Sequence, residues 1–320
     1  MCNYLSRSKL VIMAKKILIT GASGLIGKRL TELLLQKGYQ ISVLGRRRRV
    51  NALNSFVWDI DKGIFDPLAL DGVDTIIHLA GAGIAGKRWT AKRKREILES
   101  RTKSTALLFN ALKNGKHTVT SFVSASAVGY YGFVGEEVFT EKNNPGTDFL
   151  AQVARQWEAE ADKISELGIR VVKLRTGIVL SEKGGVLAEM VKPVKLGIGS
   201  ALGSGKQHLT WIHLDDLCEI FVKAVDDSNM AGAYNAVGPQ WLTNIEMTKA
   251  IAKVLNKPLW LPPVPGFVLK IILGEMANLV IYGSKVASAK IQKAGFEFRF
   301  TSLEEALEDL LLKQSTSKNE

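Results

Sequence analysis

The chain is poor in the residues that build disulfides and metal sites. It has two cysteines, Cys2 and Cys218, and four histidines among 320 residues, and no pair of histidines has the spacing of metal ligands. A disulfide framework and a metal site are therefore not expected. The low cysteine content fits a reducing compartment, and we predict a cytoplasmic protein.

Long hydrophobic runs are also missing. The most apolar stretch, residues 267–282, is interrupted by Lys270 and Glu275 and is too short to span a membrane. The first twelve residues carry a four-residue apolar patch and no small-residue cleavage site, so they do not resemble a secretory signal. We predict no membrane contact and a disordered extension over residues 1–14.

Acidic residues are outnumbered by basic ones, 31 against 43, which gives a net charge of +12. The basic residues are concentrated in two runs, residues 46–49 and 92–95. Such runs are compatible with nucleic-acid binding. Each run also lies where an enzyme with a nucleotide cofactor could carry solvated or phosphate-facing charge. We therefore expect a small-molecule substrate and no nucleic acid.

A glycine motif near the start of the chain joins a predicted strand to a predicted helix. The run over residues 16–19, Lys-Ile-Leu-Ile, is apolar after its lysine, and Gly21, Gly24 and Gly27 follow at intervals of three. The next apolar residues recur at helical spacing. Such a junction leaves backbone N–H groups free at a helix N-terminus, where a dinucleotide pyrophosphate can bind. Gly21 would permit the tight turn, Gly24 the approach of phosphate, and Gly27 close helix packing.

The residues between these glycines belong to the same predicted phosphate site. Its remaining members are Ser23, Leu25 and Ile26. The alternative is a turn with a merely structural role, because glycine-rich turns are common. The flanking strand and helix favour the cofactor site.

The end of the second predicted strand distinguishes NADP from NAD. A carboxylate about 20 residues past the glycines usually holds the ribose of NAD, but Gly45, Arg46 and Arg47 occupy that position here. An arginine would pair with the ribose 2′-phosphate of NADP. We predict NADP, held by Arg46 and secondarily by Arg47, with a solvated arginine loop as the alternative. Asp59 would meet the adenine edge, or form a turn with Asp61.

A second glycine-rich loop follows the strand predicted over residues 75–80. Gly81, Gly86 and Lys87 have the spacing of a P-loop, but Arg88 stands where a magnesium-binding Ser or Thr is needed. The chain is therefore not expected to bind a nucleotide as an NTPase does. The loop is predicted to approach the cofactor through Leu79, Ala80 and Gly81.

Strand and helix patterns alternate through the first half of the chain. Besides those named, strands are predicted at residues 41–44, 56–58, 121–124 and 171–174, and helices at 91–113 and 148–167. Alternation of this kind predicts an α/β fold of the Rossmann type, a doubly wound parallel sheet with helices on both faces. Ligands bind such sheets at the carboxyl ends of the strands. After Arg175 the pattern changes, and short strands are predicted at residues 210–213 and 234–236.

A smaller, mainly helical C-terminal lobe is predicted after the sheet. Thr243 and Ser302 each precede a glutamate by three residues, as in capping boxes. Four prolines within residues 258–265 predict a stiff irregular link. The predicted domains are a dinucleotide-binding domain over 15–240 (with 183–207 contributing to the substrate lobe), a substrate or lid domain over 241–313, and a disordered tail over 314–320.

Five motifs are distributed over the whole chain. They are Thr20-Gly-x-x-Gly-x-x-Gly27, His78-Leu-Ala-Gly81, Val123-Ser-Ala-Ser126, Leu174-Arg-Thr-Gly177 and Trp211-Ile-His-Leu-Asp-Asp216. Together they resemble the extended short-chain dehydrogenase/reductases, a superfamily that includes nucleotide-sugar epimerases and dehydratases. Finer features such as Gly129-Tyr-Tyr-Gly132 are similar to the group called epimerase family proteins, which carry a C-terminal domain of unknown function. The resemblance implies an NAD(P)-binding Rossmann fold and epimerase-like chemistry.

The resemblance breaks where the acid/base pair should be. The superfamily carries Tyr-x-x-x-Lys on the helix after the fifth strand, but the matching positions here are Leu150 and Ala154. No tyrosine in the chain has a lysine four residues later. Arg101 stands where the superfamily has a helix asparagine. Ordinary epimerase or dehydratase chemistry is therefore in doubt.

The remaining catalytic candidates are a hydroxyl, two phenols and a cation. Ser126, with Ser124 as the second choice, matches the superfamily's active-site hydroxyl, and Tyr130 or Tyr131 just beyond it would supply a proton. The alternative for these tyrosines is aromatic packing within a loop. Arg101 would offset negative charge that develops on the substrate. The resemblance adds two residues to the cofactor site, Ser124 and Arg175.

Other conspicuous side chains are expected to have structural roles. Trp89 and Trp157 are predicted core residues, and His213 is predicted to be structural. Asp215 and Asp216 are predicted to cap the helix that follows.

Two functions follow from these observations. The first is an NADP(H)-dependent oxidoreductase or epimerase-like enzyme that acts on a small, anionic or nucleotide-sugar-like substrate. The alternative is a non-catalytic NADP(H)-binding sensor or scaffold, which the loss of Tyr-x-x-x-Lys favours. A homodimer is the oligomer considered.

Overall fold

The computed structural model describes residues 15–48, 53–132 and 137–312. The predicted extension over 1–14, Arg49 and the predicted tail lie outside the described residues. Within those three ranges, no helix is both long enough and apolar enough to cross a membrane. The same part of the chain contains no group of three His, Cys, Asp or Glu side chains that could hold a metal ion.

Thirteen strands and ten α-helices lie within the described residues. The strands are β1 (Lys16–Thr20), β2 (Gln40–Gly45), β3 (Asn54–Asp59), β4 (Ile64–Phe65), β5 (Thr75–His78), β6 (Ser121–Ala127), β7 (Val138–Phe139), β8 (Arg170–Thr176), β9 (Ile178–Leu180), β10 (His208–His213), β11 (Gly232–Ala236), β12 (Trp241–Thr243) and β13 (Lys285–Val286). The helices are α1 (Leu25–Gln36), α2 (Ala91–Asn114), α3 (Phe149–Lys163), α4 (Gly185–Lys195), α5 (Leu214–Asp226), α6 (Asn244–Val254), α7 (Gly266–Leu273), α8 (Asn278–Ile281), α9 (Ala289–Lys293) and α10 (Leu303–Leu311).

Eight of these strands form one sheet in the order β11-β8-β6-β5-β1-β2-β3-β4. All neighbouring pairs are parallel except β3 and β4. The strand order reverses at β1, which lies between β2 and β5. This topology confirms the predicted doubly wound Rossmann-type fold.

The sheet is covered on both faces because its strands are apolar on both sides. Ile17 and Ile19 pack in one buried cluster with Phe221 of α5. Leu18 points to the other face, where its cluster includes Leu108 of α2. Full burial of each such side chain contributes about 1.5–3 kcal/mol to folding. Because successive side chains of a strand point to opposite faces of the sheet, α5 packs on one face and α2 on the other.

Two predicted boundaries differ from the observed ones for identifiable reasons. β5 ends at His78 rather than at residue 80. The Leu79 N–H is shared between the carbonyl and the hydroxyl of Thr20, and the Ala80 N–H donates to that hydroxyl instead of continuing the strand. The helix predicted over residues 148–167 begins after Asp148, which is its N-cap. Its last four predicted residues form a separate 3-10 helix.

The C-terminal lobe is built on its own apolar cluster. Trp211 of β10, Met247 of α6 and Leu307 of α10 pack together there with Leu187 of α4. The capping box predicted at Thr243 is confirmed, with both reciprocal hydrogen bonds present. At the start of α10 only the forward bond of the predicted box is found, from the Glu305 N–H to the Ser302 hydroxyl. The domain boundary at residue 240 stays a prediction.

Candidate functional site

The carboxyl ends of the central strands lie at one level. Thr20 of β1 is in register with Leu44 of β2 and with His78 of β5. His78 is in turn in register with Ser124 of β6. The loops after these strands therefore open at the same edge of the sheet, on both sides of the point where the strand order reverses. Ligands of doubly wound sheets bind in such a crevice.

Two glycines make the turn after β1 close-packed. Gly21 has a φ of +72°, and a Cβ there would lie 2.7 Å from the Leu79 carbonyl carbon and 2.9 Å from the Ala80 nitrogen. A Cβ on Gly27 would overlap the Gly21 oxygen and lie 2.7 Å from the Ala22 Cα. The turn thus rests directly on the loop after β5 and on the first turn of α1.

The N-terminus of α1 is open at this turn. Gly24 is the N-cap residue, and no side chain of the described residues caps the helix. The first turn contains no acidic residue. Ser23 and Gly24 are exposed, and Leu25 and Ile26 are half-buried. Partly positive N–H groups at such an end are available to an anion.

Buried polar groups hold the two loops together. The Thr20 hydroxyl accepts a hydrogen bond from the Leu79 N–H and lies 2.7 Å from Nδ1 of His78. Nε2 of His78 lies 3.2 Å from the Ser104 hydroxyl and 3.1 Å from that of Thr105. Burial, and secondarily the charge of Arg101, lower the pKa of His78 to about 3. The neutral imidazole therefore supports the turn, a role that sequence reasoning missed because His78 appeared only within a motif.

The loops after β2 and β3 carry the predicted NADP and adenine residues. Arg46 and Arg47 are exposed immediately after β2. Asp59 ends β3, and its Oδ1 accepts hydrogen bonds from the N–H groups of Asp61 and Lys62, at 3.1 and 3.0 Å. Of the two alternatives for Asp59, the turn is therefore formed. Its contact with adenine stays a prediction.

A buried polar network lies beside the ends of β6 and β8. The Ser126 hydroxyl donates to Glu158 at 2.7 Å, and Arg175 donates to both carboxylate oxygens of Glu158 at 2.8 Å. Nη1 of Arg175 also donates to the Tyr131 hydroxyl at 3.0 Å, and that hydroxyl donates to Asn235 at 2.6 Å. None of these five side chains is more than 5% exposed. The network joins strands β6, β8 and β11 to α3.

Ser126 and Tyr131 are thus turned into the protein, away from the surface where a substrate contact was expected. Both hydroxyls are committed to buried partners, and burial raises the pKa of Tyr131 to about 12. Burial alone would lower the pKa of Arg175, but its hydrogen bonds and charge interaction with Glu158 outweigh this and raise it. Arg175, a predicted cofactor residue, is likewise occupied by Glu158 and Tyr131.

Tyr130 is the predicted proton donor that stays partly exposed. The Cζ atom of Arg175 lies 3.4 Å from its ring centroid, so the ring is stacked on the buried guanidinium. The Tyr130 ring also meets the Tyr131 ring edge-on, at 5.4 Å between centroids. Ser124 is buried, and its hydroxyl donates to the Ala125 carbonyl at 2.9 Å.

The chain is similar to a known protein family over most of its length. The model of the NAD dependent epimerase/dehydratase family matches residues 17–237. The chain belongs to the NAD dependent epimerase/dehydratase family. A domain of unknown function, DUF1731, matches residues 264–310. The predicted resemblance is confirmed.

Relatives from this family match nearly the whole chain. The epimerase family protein Mb2239 of Mycobacterium bovis is 36% identical over 91% of this chain and 96% of its own length. The epimerase family protein YfhF of Bacillus subtilis is also 36% identical, over 94% of this chain and 99% of its own length. The crystal structure of human epimerase family protein SDR39U1 with NADPH has a TM-score of 0.83 at 28% identity, covering 93% of this chain and 99% of that one. A nucleoside-diphosphate sugar epimerase of Corynebacterium glutamicum has a TM-score of 0.75 at 29% identity, covering 96% and 61%.

This member of the epimerase/dehydratase family has apolar packing at the predicted positions of the acid/base pair. Leu150 and Ala154 are 8% and 3% exposed. Leu150 belongs to a small cluster with Trp89 and Ile97. Trp157, in the following turn of α3, is also buried, so both tryptophans are core residues as predicted. A proton donor for this site must therefore come from another element.

The start of α5 corrects one prediction. His213 is the N-cap, because its Nδ1 accepts the Asp215 N–H at 3.1 Å. The prediction that Asp215 and Asp216 cap this helix is therefore wrong. Asp215 pairs with Arg29 at 2.6 Å, and Asp216 accepts the Arg299 N–H at 2.9 Å. The structural role predicted for His213 is confirmed.

The buried histidines make stability fall in mild acid. Burial lowers the pKa values of His78 and His213 to about 3 and about 4, whereas histidine in an unfolded chain has a pKa of about 6.5. The unfolded chain therefore binds protons first as the pH falls below about 6.5, and the free energy of unfolding should drop by up to about 1.4 kcal/mol per pH unit for each histidine. Urea unfolding between pH 7 and pH 5 measures this slope. His213→Asn retains a capping side chain and should roughly halve the slope; an unchanged slope would contradict the assignment.

Proposed function

We propose that this chain binds NADP(H) in the crevice between the loops after β1, β2 and β5. We further propose an oxidoreductase or epimerase-like activity on a small anionic or nucleotide-sugar-like substrate. The observation that carries the proposal is the open, acid-free N-terminus of α1 beside the turn at Gly21. The human relative SDR39U1, whose crystal structure contains NADPH, supports it. When bound, the cofactor would accept or supply a hydride.

The proposed cofactor contacts follow the loops in order around the crevice. The turn after β1 would hold the diphosphate because it offers free backbone N–H groups. Its glycines carry no side chain, so the phosphates could approach the backbone closely. The loop after β5 would meet the cofactor next, because it already contacts Gly21. The proposed residues are Gly21, Ser23, Gly24, Leu25, Ile26, Gly27, Arg46, Arg47, Asp59, Leu79, Ala80, Gly81, Ser124 and Arg175.

The preference for NADP over NAD is proposed on the chemistry at the end of β2. Arg46 and Arg47 are exposed there, and residues 45–48 include no acid that could hold a ribose 2′-hydroxyl. A guanidinium can instead bind a 2′-phosphate through two parallel hydrogen bonds.

Arg46→Ala is expected to weaken NADPH binding by about 10-fold to 100-fold, because a charged hydrogen bond to the 2′-phosphate is lost. NADH lacks that phosphate, so its dissociation constant should change by no more than about 2-fold. Fluorescence titration with both nucleotides measures the difference. Arg95→Ala removes an equally exposed charge from α2 and should change neither constant. Equal losses for NADPH and NADH in Arg46→Ala would remove the case for Arg46.

For the substrate step, we assign proton exchange with the substrate oxygen to Tyr130. Its hydroxyl has no hydrogen-bond partner among the described residues, and its ring is fixed on Arg175. Ser126 and Tyr131 then act as positioning residues, since they hold Glu158 and Arg175 beneath that ring. The charge-offsetting role belongs to Arg101.

A sensor or scaffold without turnover is the second candidate. Leu150 and Ala154 are buried apolar residues at the positions where the superfamily carries its tyrosine and lysine. Their presence favours this second candidate. Single-turnover oxidation of protein-bound NADPH by a panel of carbonyl compounds separates the two candidates. Oxidation supports the enzyme, and the absence of oxidation by every compound supports the sensor.

A location in the cytoplasm and a homodimer stay predictions. One relative in Arabidopsis thaliana is named as chloroplastic.

A further inference from the structure

Arg101 is a buried cation without a carboxylate partner among the described residues. It lies in the buried stripe of α2 with Ile97 and Leu108 and is 8% exposed. Its Nη1 donates to the carbonyl oxygens of Ala82 at 3.0 Å and Ile97 at 2.9 Å. The similarly buried Arg175, in contrast, is fully paired with a carboxylate. Buried charges are normally paired, so the environment of Arg101 calls for an anion.

The guanidinium of Arg101 opens toward the crevice at Gly81. A Cβ on Gly81 would lie 3.0 Å from Cζ and 3.2 Å from Nη2 of Arg101, and Gly81 itself is exposed. Nε and Nη2 donate no hydrogen bond to the other described residues. Nη2, the donor nearer to the added Cβ, therefore faces the loop after β5 with its hydrogen bonds unmade among those residues.

A second arginine lies at this loop. The Arg93 side chain donates to the carbonyl of Gly83, two residues beyond Gly81, and pairs with Glu96. Burial, and secondarily the charge of Arg93, lower the pKa of Arg101 to about 10. Arg101 is thus still protonated at neutral pH, and a bound anion would relieve the unfavourable burial of its charge.

We propose that Arg101 binds an oxyanion, a phosphate or a carboxylate, through Nε and Nη2 at the surface of Gly81. A guanidinium fork matches both groups because each presents two oxygens in one plane. The proposal rests on the proposed function, which places the cofactor in the same crevice. The oxyanion belongs either to the cofactor's diphosphate or to an acidic or phosphorylated substrate, and the experiment separates these two sources.

The test uses two variants and two matched controls of the full chain. Arg101→Gln removes the charge, and Gly81→Ala covers the free face of the guanidinium while leaving the charge in place. Arg95→Gln removes an exposed charge from the same helix, and Gly83→Ala adds a Cβ that approaches only the Ala85 oxygen, at 3.9 Å. NADPH binding is measured by fluorescence, and inorganic phosphate binding to NADPH-saturated protein by the shift in melting temperature.

Both variants should weaken binding of one probe by about 10-fold to 100-fold, and both controls should match the wild type. Weaker NADPH binding assigns the oxyanion to the cofactor. Unchanged NADPH binding with loss of phosphate binding assigns it to an anionic substrate. Two variants that match the controls for both probes would overturn the proposal.

The proposed function and the Arg101 site fail in different ways. If the wild-type protein binds no NADPH, the proposed function is contradicted. If that protein nevertheless binds phosphate, and Arg101→Gln does not, the oxyanion site is still supported. Gly81 is itself a proposed cofactor contact, so if Arg101→Gln does not fold, Arg101→Lys, which keeps the charge without the planar fork, decides the matter together with Gly81→Ala. Gly81 is outside the positive-φ positions, and the three atoms nearest to its added Cβ all belong to Arg101.

Discussion

Replacing Gly21 with alanine is expected to weaken NADPH binding by about 100-fold, equivalent to about 2.8 kcal/mol, because the added Cβ would force apart the two loops that line the crevice. The new Cβ would lie 2.7 Å from the Leu79 carbonyl carbon, and backbone cannot rotate away as a side chain can. The turn after β1 and the loop after β5 must separate, which opens the crevice. The free energy of unfolding should also fall by more than the roughly 1–2 kcal/mol that a left-handed alanine costs. NADPH titration and urea unfolding measure the two effects.

Gly38→Ala is the matched control for this prediction. Gly38 has a φ of +86°, and a Cβ there would meet nothing within 4 Å. It should therefore lose about 1–2 kcal/mol of stability from backbone strain alone and keep its NADPH affinity. If Gly21→Ala bound NADPH as tightly as Gly38→Ala, the close contact between the two loops would have no part in cofactor binding.

Glu158→Gln is expected to produce the largest loss of stability, about 3–5 kcal/mol, because it leaves Arg175 buried without a compensating charge. The substitution preserves the side-chain shape, so the change is almost purely one of charge. Glu158 is 5% exposed and accepts hydrogen bonds from Ser126 and Arg175, so no solvent screens the loss. Urea unfolding at pH 7 measures the difference in free energy.

Glu160→Gln makes the same chemical change on the same helix in a more solvated setting. Glu160 pairs with Lys163 at 2.7 Å, and its side chain is 23% exposed. A surface pair of this kind contributes about 0–1 kcal/mol. Equal small losses in Glu158→Gln and Glu160→Gln would mean that the buried pair contributes nothing beyond a surface ion pair.

The fold follows from sequence patterns that are local and repeated. Apolar strands such as residues 16–19 alternate with helices of one apolar stripe, and this arrangement has few solutions other than a parallel sheet covered on both faces. The glycine turn marks the first strand end. Boundaries were less predictable, because the end of β5 is set by the Thr20 hydroxyl, which lies far away in the chain.

The interior of the site could be predicted only in part, because its partners meet through tertiary packing. Ser126 and Tyr131 were predicted to contact the substrate, with aromatic packing as the alternative for Tyr131. In the structure both hydroxyls are buried, and they donate to Glu158 and Asn235. The signal for Glu158 was present in the sequence, since it falls on the apolar stripe of α3. A carboxylate at a buried helical position predicts a buried cation, although the sequence does not say which one.

The account depends most directly on whether the open N-terminus of α1 binds the diphosphate of a nicotinamide dinucleotide. Isothermal titration calorimetry of the folded wild-type chain with NADPH tests this. The account predicts a saturable heat with one site per chain, and a weaker isotherm for NADH. No heat with NADPH, NADP, NADH or NAD would contradict it, even though the sheet and helices would remain as described.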